Sequence, residues 1–259
     1  MTELISLNSE FATNRLVLLH GWGADAEDLL PVGKLLTQDL KDRFEIVSLS
    51  APQVHPSGSG RQWYPLYPHE WDQVPNAVLD LERRLNNLCF EKIPLNKTFL
   101  LGFSQGGAMA LELAKRIKFQ GVFALSSYPH PEWQPAKDMQ PVFLSHGNND
   151  QVVPKEASKA SFDLLSKNGI QSDLYLFEGV FALSSYPHPE WKPLKEMSPI
   201  FLFHGNMDEI VPKDASQKSF DILRNNGIKS DLFFFDGGHE IDNDLIDYCR
   251  GIIRQQFLS

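Results

Sequence analysis

Cysteine is scarce in this chain: Cys89 and Cys249 are the only two among 259 residues. Neither has a C-x-x-C or metal-ligand spacing, so a disulfide framework is excluded and two buried free thiols are expected. Positive charge is in deficit. Lys and Arg number 24 against 33 Asp and Glu, a formal net charge of −9, which argues against nucleic acid or an anionic membrane as a partner. No apolar run is long enough to span a bilayer, so no stable membrane insertion is expected. Residues 1–11 show neither the basic stretch nor the apolar run of a secretory leader, and the cytoplasm is the expected address. No phosphate-binding glycine loop or metal-ligand cluster occurs, so neither a cofactor nor a metal is implied. What is present is apolar substance, at 42% of residues. That suffices to bury one sizeable core in a single domain over 1–259.

Taken in order, short apolar runs alternate with helical spacing. Arg15–Leu19 reads as a strand buried on both faces, and Phe44–Ser50 as the next strand. Ala26–Leu40 and Asp72–Phe90 carry apolar residues at helical intervals. Between them, Ala51–Trp71 is rich in Pro, Gly, Ser and aromatics, and is expected to be a long functional loop. Strands alternating with helices of this length predict βαβ units in a mainly parallel sheet flanked by helices.

From Gly121 onward the sequence repeats. Residues 121–178 and 179–237 align without a gap at a period of 179 − 121 = 58 residues, with about two thirds of positions identical. Both copies open on Gly-Val-Phe-Ala-Leu-Ser-Ser-Tyr-Pro-His-Pro-Glu-Trp, and each predicts strand, strand, helix, strand. Two copies that begin halfway along an α/β chain fit a tandem segment duplication better than a solenoid. A final helix is expected from Asp242 to about Phe257.

Thr98–Ala114 carries the most chemistry. An apolar run stops at Gly102, and Gly102-Phe-Ser-Gln-Gly106 then leads into strong helix formers. That is strand, sharp turn and helix with Ser104 at the apex, the G-x-S-x-G nucleophile elbow. A serine nucleophile further needs an imidazole, an orienting carboxylate and N–H donors for the oxyanion. The order Ser, Asp, His occurs once, as Ser104, Asp208 in His204-Gly-Asn-Met-Asp208, and His239 in Phe235-Asp-Gly-Gly-His239. The backbone N–H groups of Trp22 and Gln105 are the candidate oxyanion donors, the former in a loop between two glycines. Duller roles stand beside these. Asp208 serves equally as a cap for a helix near Pro212. Seven other histidines (His20, His55, His69, His130, His146, His188 and His204) accompany His239, which differs from them in its glycine-rich setting. Trp63, Tyr64 and Trp71 suit loop packing as well as substrate contact.

The segments LLHGWGADAEDLL, GFSQGGAMALELA, HGNMDEIVP and FDGGHEI resemble the phospholipase/carboxylesterase family of α/β hydrolases, which includes the acyl-protein thioesterases. The resemblance covers essentially the whole chain once one repeat copy is set aside. It implies an α/β-hydrolase fold and a cofactor-free serine carboxylesterase or thioesterase that acts on small to medium acyl esters. It makes Ser104, Asp208 and His239 the triad, Trp22 and Gln105 the oxyanion pair, and Arg61-Gln-Trp63-Tyr64 part of the acyl-pocket rim. The alternatives are a lysophospholipase or acyl-protein thioesterase, and a catalytically dead hydrolase-fold protein disabled by the duplication.

The duplication complicates the site. The first copy holds an equivalent Asp150, the alternative acid, but aligns Phe181 with His239. Three extra strands between serine and histidine would separate them by roughly a further 14 Å, against the ~3 Å of a hydrogen bond. One copy is therefore expected to leave the sheet, in the simplest version the first. Leu174–Leu183 joins the copies without a helix, so its two strands cannot pair in parallel. A displaced copy also exposes strand edges, which opens the option of a homodimer or segment-swapped oligomer.

Overall fold

Strands buried on both faces need helices above and below them, and the chain supplies these between consecutive strands. The structure is a computed structural model. It describes residues 4–7, 10–88, 93–148, 150, 152–177, 182–183, 200–205, 213–227, 230–235, 247, 250–251 and 253–254. In chain order the first half gives β1 (Leu4–Leu7), β2 (Asn14–Leu19), α1 (Leu30–Thr37), β3 (Phe44–Leu49), β4 (Gln53–Val54) and β5 (Arg61–Gln62). Then come α2 (Val74–Leu88), β6 (Thr98–Phe103), α3 (Gln105–Ala114) and β7 (Gly121–Leu125). The first copy continues with β8 (Val142–Gly147), α4 (Lys155–Lys167) and β9 (Ser172–Phe177). The second gives β10 (Ala182–Leu183), β11 (Ile200–Gly205), α5 (Lys213–Asn225) and β12 (Ser230–Phe235).

Among the described residues, seven strands form the main sheet in the order β1-β3-β2-β6-β7-β8-β9. All its neighbours are parallel except β1, which runs antiparallel to β3. Side chains alternate between two cores. Val17, Val47, Leu100, Val122 and Val142 face α2, α3 and α4. Leu16, Leu18, Ile46, Phe99, Phe123 and Phe143 face α1. On that second face an aromatic ladder draws one ring from each of four strands, with ring centroids 6.1 Å apart for Phe44–Phe99, 6.1 Å for Phe99–Phe123 and 5.3 Å for Phe123–Phe143. Ile253 is buried in the same core, and Arg250 donates to the Leu35 carbonyl at 2.9 Å. Arg250 and Ile253 therefore pack back against α1.

The first helix is shorter than Ala26–Leu40. Pro31, which lacks an N–H, fits its first turn, and a 3₁₀ segment over Gln38–Arg43 follows it. The Ala51–Trp71 loop contains a short antiparallel pair, β4 with β5. Of the final helix, Asp247, Arg250, Gly251, Ile253 and Arg254 are helical among the described residues.

The expected displacement of the first copy is overturned. Its β7 pairs with β6 from Phe99↔Gly121 to Phe103↔Leu125, and β8 and β9 follow outward. The reason is proximity: the first copy leaves α3 directly, so closing it onto β6 needs the shorter loop. The second copy makes its own parallel sheet in the order β10-β11-β12, with α5 packed on β11 and β12. The two runs within Leu174–Leu183 do not pair with each other, as the lack of a crossover predicts.

Candidate active site

Ser104 sits where β6 hands over to α3, with φ 51° and ψ −116°. No ordinary residue rests comfortably there, and such conformations persist only where the surroundings enforce them. Here the enforcing groups are visible. Ser104 donates its backbone N–H to the Leu125 carbonyl (2.9 Å), and its own carbonyl accepts from Ala108 (3.1 Å). A Cβ on Gly102 would lie 2.2 Å from the Gly106 carbonyl oxygen, and one on Gly106 would lie 2.1 Å from that of Leu19. Strand and helix thus touch backbone to backbone. The hydroxyl is left half-buried at the tip.

β2 lies beside β6, with Leu19 opposite Gly102, so the loop after β2 reaches the same point. A Cβ on Gly21 would stand 3.5 Å from Ser104 Cβ. Neither the Trp22 N–H nor the Gln105 N–H meets an acceptor among the described residues, and Gln105 opens α3. Two free donors, one at a helix N-terminus, are what an oxyanion requires. His20 is fully buried under this loop. Burial lowers its pKa to about 4, against the raising effect of its hydrogen bond to the Gly21 carbonyl.

Trp63 and Tyr64 are 1% and 0% exposed, so their side chains lie in the core. The Gln105 side chain holds their backbone from both sides, accepting from Trp63 N (3.0 Å) and donating to the Tyr64 carbonyl (2.8 Å). The Tyr64 hydroxyl is 2.8 Å from that of Tyr128 and 2.8 Å from His130 Nε2, and His130 Nδ1 is 3.1 Å from Glu112. Burial pushes the Tyr64 phenol far above its ordinary value and Tyr128 up to about 12. Tyr128, His130 and Glu112 were not among the residues expected at the site. The signal for the first two was the unusual Tyr-Pro-His-Pro-Glu-Trp run. At the surface, Trp22 contacts Tyr67 (5.4 Å), Tyr67 contacts His69 (5.4 Å) and His69 stacks on Trp71 (4.8 Å), an aromatic arc beginning at the loop after β2.

Asp150 lies just past β8, two strands from β6. Its Oδ1 accepts the N–H groups of Val152 (2.9 Å) and Val153 (3.0 Å), and its Oδ2 is 3.5 Å from His146 Nε2. Burial would raise its pKa, but hydrogen bonds from His146, Val153 and Val152 outweigh that and hold it below the usual carboxylate range. It is an ionised carboxylate with one oxygen tied to backbone. Asp208 and His239 lie outside the described residues; the strands before them, β11 and β12, belong to the separate sheet. No group of three His, Cys, Asp or Glu placed to hold a metal is found among the described residues. No described helix is long and apolar enough to cross a membrane.

A nucleophile elbow on the middle strand of a largely parallel, helix-covered sheet defines the α/β-hydrolase class. Solved structures agree on the fold. Esterase PE8 superposes with a TM-score of 0.66 at 23% identity, covering 98% of this chain and 99% of its own. The Bacillus cereus carboxylesterase gives 0.58 at 13% identity, over 98% of this chain and 93% of its own. The phospholipase/carboxylesterase profile matches residues 2–186, and the chain belongs to that family of hydrolases. Acyl-protein thioesterase 1 of Cryptococcus neoformans var. neoformans is 30% identical over 189 residues, 60% of this chain and 74% of that protein. Acyl-protein thioesterase 1 homolog 1 of Dictyostelium discoideum is 36% identical over 97 residues, 35% of this chain and 43% of its own. Membership of the family supports hydrolysis of an ester or thioester.

Proposed function

We propose that the chain is a serine esterase or thioesterase that cleaves small to medium acyl groups through an acyl-enzyme on Ser104, in the cytoplasm. The observation that carries this is the enforced backbone of Ser104 at the start of α3, close to the Gly21 loop, with the Trp22 and Gln105 N–H groups meeting no acceptor among the described residues. Ser104 Oγ attacks the acyl carbon and gives its proton to an imidazole. The oxyanion is held by the N–H groups of Trp22 and Gln105. The alcohol or thiol leaves with that proton, and water then releases the acid by the same steps reversed.

His239 is the proposed base. Its support is chain order, its glycine-rich loop, and its position between β12 and the C-terminal helical residues that return to α1. For the acid, the topology favours Asp150 over Asp208, the choice that contiguity with His239 suggested. Asp150 follows a strand roughly 10 Å across the sheet from β6, whereas β11 lies in the other sheet. A fluorophosphonate tests the reading: it is expected to label the wild-type chain and to leave Ser104→Ala unlabelled. Relative turnover of p-nitrophenyl butyrate and palmitate separates a short-chain esterase from a lysophospholipase or acyl-protein thioesterase.

One observation favours a second reading, a folded hydrolase-like protein without turnover. Phe181, not histidine, stands four residues past the end of β9 (181 − 177 = 4), as His239 stands four past β12 (239 − 235 = 4). Absence of labelling in a cooperatively melting wild-type chain would establish that reading.

A further inference from the structure

The structure assigns His20 a positioning role: its ring turns the Gly21–Trp22 peptide so that the Trp22 N–H faces an oxyanion formed at Ser104. This rests on the serine-hydrolase reading and extends it to a residue outside the reacting set. His20 Nε2 accepts the Ala51 N–H at 3.0 Å, so the ring proton is on Nδ1. Nδ1–H then donates to the Gly21 carbonyl at 2.7 Å. In a trans peptide the carbonyl and the following N–H point in opposite directions. Pinning the Gly21 oxygen to the buried ring therefore aims the Trp22 N–H away from it, on a loop whose Gly21 passes Ser104. The His20 carbonyl is fixed in turn by Trp63 Nε1 at 2.9 Å, and the two rings lie 5.4 Å apart. The imidazole stays neutral because burial disfavours its charged form. A protonated ring would lose the Ala51 bond that sets the tautomer.

The bland alternative is a buried histidine that merely satisfies two backbone groups. Two variants separate the roles, because Asn places its amide nitrogen near Nδ1 and Gln places its terminal group near Nε2. With p-nitrophenyl butyrate and the full chain, His20→Asn is expected to keep kcat within about fivefold of wild type. His20→Gln should lose roughly 30- to 100-fold in kcat with KM changed less than about twofold, and Ser104 labelling by a fluorophosphonate should slow in parallel. Equal losses in both variants, or losses confined to KM, overturn the assignment. Should neither variant fold, Trp63→Phe serves: it removes the N–H held on the His20 carbonyl, and an unchanged kcat would overturn the proposal where a three- to tenfold fall supports it. A wild-type chain that neither turns over the ester nor takes the label fails at the hydrolase reading itself. An active wild type with an equally active His20→Gln fails only here.

Discussion

Ser104 is held in its uncommon conformation by neighbours that leave no room for side-chain atoms, and that makes two residue-scale outcomes differ sharply. Ser104→Ala should fold and melt like wild type yet turn over no ester. Gly106→Ala must push a methyl to 2.1 Å from the Leu19 carbonyl, so it should destabilise by several kcal/mol, read as a lowered urea midpoint. His20 adds a pH dependence. Its folded pKa of about 4 lies below the 6.5 of the unfolded chain, so the unfolded state takes up the proton first as pH falls. Stability is then fully present above pH 6.5 and lost down to about pH 4, by roughly 3 kcal/mol at the foot of that window. Urea titrations at pH 7 and pH 4.5 should show the loss, and His20→Asn should flatten it. The strand, sharp turn and helix around Ser104 were legible in sequence because spacing and glycine fix them locally. The burial of Trp63 and Tyr64 was not, since an aromatic in a loop can face either way until Gln105 and His20 are seen to hold it.

Among the elements, β8 is the one whose role as carrier of the proposed acid can be tested directly. If the strand carries the carboxylate to the site, Asp150→Asn should lower kcat by about 10³- to 10⁴-fold, whereas Asp208→Asn should leave it within a few fold. The opposite pattern, measured on p-nitrophenyl butyrate, would transfer the role to Asp208. The sheet face has its own test. Phe123 is fully buried between Phe99 and Phe143, so Phe123→Ala should cost about 3–5 kcal/mol. The parallel strands showed in sequence as unbroken apolar runs. β1 did not, because an antiparallel edge strand of four half-exposed residues has neither the apolar run nor the flanking helix of its neighbours. The late start of α1 is likewise a matter of where Pro31 sits in the helix.

For the molecule as a whole, the question is what the second copy contributes. Deleting residues 181–238 removes one period and Asp208 with it, and sets His239 four residues past β9. The shortened chain is expected to fold on the main sheet and to hydrolyse p-nitrophenyl butyrate at least as fast as the full chain; a folded but inactive product would mean that the second copy furnishes part of the site. Strand pattern alone leaves the copies tied, because 121–125 and 179–183 are the same five residues and compete for one strand, β6. The order of synthesis breaks that tie. A ribosome adding 5–20 residues per second releases the first copy about 3–12 s before its twin, long enough for it to zip onto the waiting edge unopposed. A chain diluted out of denaturant has no such head start, so both halves arrive together and some molecules should seat the wrong one, visible as a second protease-digestion fingerprint absent from freshly translated protein.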